Sequence, residues 1–502
     1  MPNPDTFGWD TVFAMRLPLF NANIAAATSA GETRFSFASS GEGPPDRDLT
    51  WTFGRWQVDD AYGAQFTLST TLQSGTLKGG KADCDLSGAV CSVTTNMVLK
   101  AKNDGDAAKS PTADAAKPGE MWATVDFKPQ TDIGFEGKLL AKQGFERWFA
   151  TAEGSKAFDD IFTGMKINTS ADGKTSWLRP KNARLAGATL PDGGQAIGFL
   201  AMTATDSIIG APLELSPFAI PERADASDDE KDAAFLISPT RMMAAMIAPV
   251  LPHVFGTSPD TAVSDFPVHD CSIRNAVPLS FPVKTSDGKT YTAAVAADDL
   301  TIRLANDVLT ITIQMSFKID LGAINLETIN VRTVEQLKAT LVAATDDPDH
   351  RVLVLTQAAD PTVQHDTEES LVALGGELLV GIVAGIAAAL IVKFVPGGLV
   401  SRFGLSTIAA KIWAAVLAGV AMAIGMAISR IPEMIADFES ADLKTLPNFA
   451  SLIDDALSAI EWPTPQRFSV DTVEFADCLR IGLKRETSPT APTATRQTAG
   501  QT

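Results

Sequence analysis

The stretch Leu371–Val395, LVALGGELLVGIVAGIAAALIVKFV, runs through the loop PGGLVSRFG (396–404) into a second apolar run, Leu405–Ile428, LSTIAAKIWAAVLAGVAMAIGMAI. How these two runs are read decides the fold. A helix rises about 1.5 Å per residue, so either run is long enough to cross a hydrocarbon layer about 30 Å thick. Charge and context argue otherwise. Lys393, Arg402 and Lys411 lie in or beside the connecting loop, whereas Asp366, Glu368 and Glu369 precede the first run; the positive charge would hold that loop on the cytoplasmic side. Everything before it would then need export, yet the N-terminal MPNPDTFGWDTVFAMRLPLFNANI has no basic n-region, continuous apolar run or cleavage site. The runs therefore read as a helical hairpin carried by a soluble chain that is cytoplasmic as synthesised. Release by a non-classical route and membrane association are the alternatives.

Working outward, the chain has 502 residues, of which 45% are hydrophobic and 20% charged. That is the composition of a folded protein with a sizeable core. A net charge of -19 and a pI near 4.7 exclude nucleic acid as a partner, because phosphate recognition needs a positive surface. They also confine membrane contact to local apolar segments. Four cysteines are too few for a disulfide scaffold. Cys84 and Cys91 read as neighbours on a hairpin, bridged outside the cell or thiols inside it, and Cys271 and Cys478 are isolated.

Arg34–Phe37, Leu49–Trp56 and Ala64–Leu77 alternate apolar and polar residues between Gly and Pro clusters, as strands do. KNDGDAAKSPTADAAKPGE (102–120) lacks apolar periodicity and reads as a long loop joining strands Met97–Lys100 and Met121–Phe127. Gly144–Ile167 and Leu236–Val254 have helical spacing, the second broken by its prolines. Leu300–Leu304 and Leu309–Leu321 form a hairpin about Asn306 and Asp307. A helix is expected over Thr333–Ala344, a strand at Val352–Leu355, a helix over Pro447–Ile460 and a last strand at Phe475–Leu483. The divisions are a body over 1–365, the inserted hairpin over 366–440, a completing helix and strands over 441–485, and a disordered tail over 486–502.

Residues with chemical potential are sparse. GTLKGGKA (75–82) nearly matches a phosphate-binding loop, but Ala82 replaces the magnesium-binding hydroxyl and the following residues are β-like. His269-Asp270 and His365-Asp366 have no third partner in the sequence, no HExxH or GxSxG motif is present, and both pairs read as polar loop residues. Trp51, Trp56 and Trp122 read as core or rim packing rather than as a sugar platform. No catalytic, cofactor or metal-binding residues are expected.

FGWDTVFAMRLPLFNANI (7–24), WTFGRWQVDDAYGAQFTLSTTLQSG (51–75), AAFLISPTRMMAAMIAPVLPHVF (233–255) and EWPTPQRFSVDTVEFADCLRIGL (461–483) together resemble the clostridial P-47 family, which includes OrfX-like proteins and belongs with the tubular lipid-binding (TULIP) superfamily. The resemblance implies an α+β fold in which highly curved antiparallel sheets wrap long helices. Here that fold would carry the inserted apolar hairpin. It also implies a non-catalytic protein that binds a lipid or other hydrophobic ligand and serves as an accessory to a toxin. The partners it implies are that ligand and a toxin or another P-47 or OrfX-like protein.

Within the hairpin, Gly381, Gly385 and Gly419 fall in four-residue series with Ala389, Ala415 and Ala423. Such series put small residues on one helix face and allow close pairing. Ile382, Ile386 and Leu390 on the first helix and Val416, Val420 and Ile424 on the second supply a larger apolar contact surface. That surface needs a cover, be it the body, a partner, a lipid or a membrane. Two further functions fit it: a membrane-inserting or pore-forming effector, and a structural subunit using the hairpin for assembly.

Overall fold

A computed structural model describes residues 3–24, 31–39, 43–79, 83–101, 106–114, 123–169, 177–205, 210–222, 232–255, 262–284, 289–319, 327–344, 347–366, 386, 407–423, 443–463 and 466–486. Among them, the strands form three antiparallel sheets of six, nine and nine strands. The six-stranded sheet takes strands from distant parts of the sequence, in the order Asn182–Thr189, Gln195–Met202, Thr11–Arg16, Ala233–Ile237, Leu479–Arg485 and Phe468–Phe475. Its two faces differ in character. Phe13, Phe199, Phe235 and Ile481 stand in register on one face and join the main core. On the other, register aligns Ala186, Gly198, Ala14, Ala234 and Gly482 into a row of small residues crossing five strands. Because successive side chains alternate between faces, one sequence serves both surfaces.

The irregular segment 210–222 lies over the small-residue face, which explains why that face carries little bulk. Leu215, Ala219 and Ile220 are buried against it in a second core cluster. The Trp9 indole donates to the Pro212 carbonyl at 2.8 Å, and Arg480 Nη1 donates to the Phe218 carbonyl at 3.0 Å. These bonds satisfy carbonyls that a segment without a strand partner would otherwise leave open.

The first nine-stranded sheet encloses an aromatic core. Its long strands Arg47–Tyr62 and Gln65–Lys78 pair through three register shifts, and such bulges bend and coil a sheet. Helix Gly134–Phe149 packs on the inner face, where Trp51 meets Phe145 and Trp148 edge-on at 5.1 and 4.8 Å. The second nine-stranded sheet is organised around Glu327–Ala344, which pairs with Val308–Ile319, Asp347–Gln357 and Thr362–Asp366 along different parts of its length. Two turns tie this sheet to the central one: Asn306 donates its N–H to Asp477 Oδ1, and Asp477 donates its N–H to the Asn306 carbonyl. Both residues have positive φ, at 56° and 55°, in the region that Asn and Asp tolerate better than most.

Several expectations are corrected. Thr333–Ala344 is strand, not helix: alternate positions from Ile329 to Ala339 face inward, but Thr333 and Glu335 occupy two of them at 2% exposure and mask the two-residue period. Within the supposed 102–120 loop, Ala108–Ala113 is a strand paired with Met97–Ala101. The same long strand pairs through Val90–Thr94 with Thr124–Lys128, so it exchanges partners along its length. Gly144–Ile167 resolves into helices Gly134–Phe149 and Ala152–Asp160 and a short strand Lys166–Asn168; Gly134 and Gly137, poor helix formers, obscure the true start. Leu236 and Ile237 end a strand, and the helical run begins at Pro239, where Ser238 caps it by accepting from the Arg241 N–H. The last expected strand is the second arm of a hairpin, Phe468–Phe475 with Leu479–Arg485. The strands near Arg34, Leu49, Ala64, Leu300 and Val352 and the helix Phe449–Leu457 stand where expected. Met121 and Trp122 lie outside the described residues.

Gly187 joins the central sheet to the first nine-stranded sheet. It exchanges two backbone hydrogen bonds with Gly63, at 2.9 and 2.8 Å, and a Cβ at 187 would stand 2.4 Å from the Ala61 carbonyl carbon. Gly187→Ala is therefore expected to lower stability by about 1–3 kcal/mol through overpacking against backbone. Chemical denaturation checks this, and an unshifted midpoint would show that the junction yields freely.

Candidate functional site

Part of the second apolar run forms the helix Thr407–Ala423, which packs against the helical run 239–255 and strand Asp347–Gln357 of the second nine-stranded sheet. Ile408, Ile412, Trp413, Leu417 and Val420 are all 0% exposed, so the helix is covered around its circumference. Its composition suits that position, since a helix apolar on all sides belongs in an interior or in a membrane. Two polar groups are provided for. Trp413 Nε1 donates to the Leu353 carbonyl at 2.8 Å, and Lys411 Nζ donates to the Val254 carbonyl at 2.9 Å. Val254 lies in the final turn of helix Leu251–Phe255, where exposed carbonyls make the negative end of the helix dipole. The same ammonium lies 5.6 Å from the ring centroids of both Phe255 and Phe281, within cation–π range.

The neighbouring helical run changes pitch beside this helix. It is α-helical over Pro239–Met242, π over Met243–Ile247, 3-10 over Ala248–Val250 and α again over Leu251–Phe255. Pro249 has no N–H to offer the Ala245 carbonyl, and the regular ladder cannot continue through it. Where the run widens, the Met246 carbonyl lies against Gly419; a Cβ there would stand 2.1 Å from the oxygen. Gly419 thus allows two backbones to approach within reach of a Cα–H···O contact.

Of the residues assigned to hairpin contact, Ile386, Val416 and Val420 are 0, 2 and 0% exposed. A Cβ on Gly419 would meet Met246, a residue outside the two apolar runs. Gly381, Ile382, Gly385, Leu390 and Ile424 lie outside the described residues. The second run is a core element as far as it is described, and among the described residues no helix is long and apolar enough to cross a membrane. Sequence reasoning missed Met246 as the partner. The signal was present in Pro249 and Pro252, which interrupt an otherwise apolar helical pattern.

Other candidates resolve into structural roles. Gly75–Lys78 is the end of a strand rather than a loop opening a helix, so the nucleotide-loop geometry is missing there. His269 ends a two-residue strand and Asp270 follows in a turn at φ 50°. His365 lies in strand Thr362–Asp366, and among the described residues no group of three potential ligands forms a metal site. None of the four cysteines is in a disulfide. Burial pushes the Cys91 thiol far above its ordinary value and the Cys478 thiol up to about 12. Trp51 and Trp56 are core residues, as expected.

The family model OrfX-like, described as Protein OrfX2/OrfX3/P47, matches residues 6–482. The chain belongs to this OrfX-like family. A structure of P47 from Clostridium botulinum A2 superposes with TM-score 0.60 at 12% identity, covering 96% of this chain and 98% of that one. P47 of Clostridium botulinum E1 gives 0.56 at 13% identity, covering 95% and 98%. At these identities the likeness to P47 is one of fold, and it extends over the whole antiparallel framework described above. No curated protein sequence matches the chain.

Two outcomes follow from the packing of this OrfX-like chain. Gly419→Val is expected to destabilise it by about 1–3 kcal/mol or to shift the 407–423 helix, read by thermal denaturation and by Trp413 fluorescence. A Tm and emission both equal to the parent's would show that the Met246 contact is slack. For the thiols, only the thiolate reacts, so at neutral pH the two with raised values are protected by burial and by protonation together. Cys84 and Cys271 should react with Ellman's reagent in the native protein, and Cys91 and Cys478 only after denaturation.

Proposed function

We propose that this chain is a non-catalytic, TULIP-like protein that binds a lipid or other hydrophobic ligand and acts as an accessory to a toxin. The observation that carries this reading is the buried 407–423 helix: the interior between the helical run 239–255 and strand Asp347–Gln357 holds an apolar segment of the same chain. Surfaces that accept such a helix also accept acyl chains, because burial of apolar area is non-directional. A ligand would enter by sharing or replacing part of that contact. The accessory role is supported by membership of the OrfX-like family and likeness of fold to P47. A toxin or another OrfX-like protein is the corresponding macromolecular partner.

The same helix favours a second reading, in which the apolar hairpin inserts in a membrane. Its side chains would meet hydrocarbon on every side, while Lys411 and Trp413 are residue types that settle at the interface. Two measurements separate the readings. Native mass spectrometry of detergent-free protein, before and after incubation with a lipid extract, should show an added mass that organic extraction removes; protein that stays empty in both states would sink the first. For the second, Val416→Cys should resist maleimide in solution and react once vesicles are added. Persistent protection at that position, with vesicle contents retained, would exclude insertion.

A further inference from the structure

Among the described residues, the large apolar side chains left exposed are Tyr62, Phe135, Leu139, Leu213 and Val263. Only Phe135 and Leu139 share an element: they stand one turn apart on helix Gly134–Phe149, at 83 and 43% exposure. The core does not use them. Leu140, Ala141, Phe145, Trp148 and Phe149 bury the inner face of the helix. Residues four apart share one side of a helix, so Phe135 and Leu139 both lie on the outer side, with exposed Lys138 beside them.

The packing of the helix places this pair at one end of the first nine-stranded sheet. A Cβ on Gly137 would stand 3.3 Å from Cys84 Sγ, and Cys84 pairs with Leu77 near the end of strand Gln65–Lys78. The opposite end of that strand adjoins Gly63, which is bonded to Gly187 of the central sheet. The exposed pair therefore stands away from the central sheet. A Cβ on Gly134 would meet nothing within 4 Å, so no neighbouring element crowds the start of the helix.

Size and charge narrow the occupant. Together the two side chains expose roughly 300 Å² at most, against about 800 Å² on each partner of a stable protein pair. A second copy of this chain would gain too little from them. Asp83, Asp85, Asp132 and Glu136 are exposed at the same end, so the surroundings offer no positive patch to an anionic surface. A neutral bilayer meets neither objection: it accepts a small protruding apolar pair at its acyl boundary, and a lysine on a flexible stem reaches the phosphate level. We propose that the first two turns of helix Gly134–Phe149 dock on the surface of a zwitterionic lipid bilayer, with Phe135 and Leu139 inserted and Lys138 at the headgroups. The contact is shallow and reversible, and it requires no movement of the 407–423 helix.

Flotation of the full chain with an excess of phosphatidylcholine vesicles tests this. The parent should float in part. Phe135→Ser should lower its partition coefficient about tenfold and Leu139→Ser about threefold, following the apolar area each removes, whereas Phe135→Leu should keep most of the parent's value. Both positions are exposed, so Tm should not move. Salt at about 0.5 M should leave flotation intact, because screening removes charge adsorption and not apolar insertion. Folded parent that does not float, or flotation abolished by salt, would overturn the proposal. Flotation unchanged when both serines are present would also overturn it and leave the apolar hairpin as the membrane contact. Sedimentation without lipid closes the remaining alternative: a parent dimer that the two serines convert to monomer would make a second copy the occupant, and the bilayer would be excluded.

Discussion

The row Ala186, Gly198, Ala14, Ala234 and Gly482 is the constraint on which the rest of the framework depends. A central sheet buried on both faces needs cover on each, and the two covers differ in thickness. Phenylalanines fill one side, where the main core is deep. The opposite side admits only an irregular strap, so five strands must present almost no side chain along one line. Enlarging a residue there would lift the segment 210–222 and uncover Leu200, Leu236 and their neighbours.

From this frame the two nine-stranded sheets extend as separate solutions to one problem, the filling of a coiled antiparallel sheet. The first uses aromatic rings carried on strands and on an amphipathic helix, with Trp51, Phe53, Phe145 and Trp148 in mutual contact. The second uses backbone proximity between helices. There the Met246 carbonyl, in the π-helical turn that precedes Pro249, lies where Gly419 has no side chain. Aromatic packing tolerates some rotation of rings, whereas a carbonyl against a Cα leaves little slack. The two compartments therefore differ in how readily their contents could be exchanged.

Legibility in the sequence followed the physics of each element. Strands with clean alternation, such as Leu300–Ala305 and Val308–Ile319, were readable because one face is buried and the other wet. Glu327–Ala344 was hidden by Thr333 and Glu335, polar residues at inward positions whose accommodation is tertiary. Ala108–Ala113 was hidden for the reverse reason: it pairs through its backbone along a strand that exchanges partners, with little apolar periodicity of its own. The apolar helix was plain as a helix but not as a core element, since hydrocarbon and protein interior select the same side chains.

The central sheet has a temporal consequence. Strand Thr11–Arg16 is paired on both sides only after Ala233–Ile237 is available, and Ala233–Ile237 in turn needs Leu479–Arg485. Pairings of such sequence separation fold slowly, because loop closure precedes any gain from contact. During synthesis the early strands must remain unpaired, or held by something else, until nearly the whole chain has emerged. Their apolar faces are then open to self-association. The segment whose arrival closes the sheet, 479–485, thus governs when the nascent protein ceases to be adhesive.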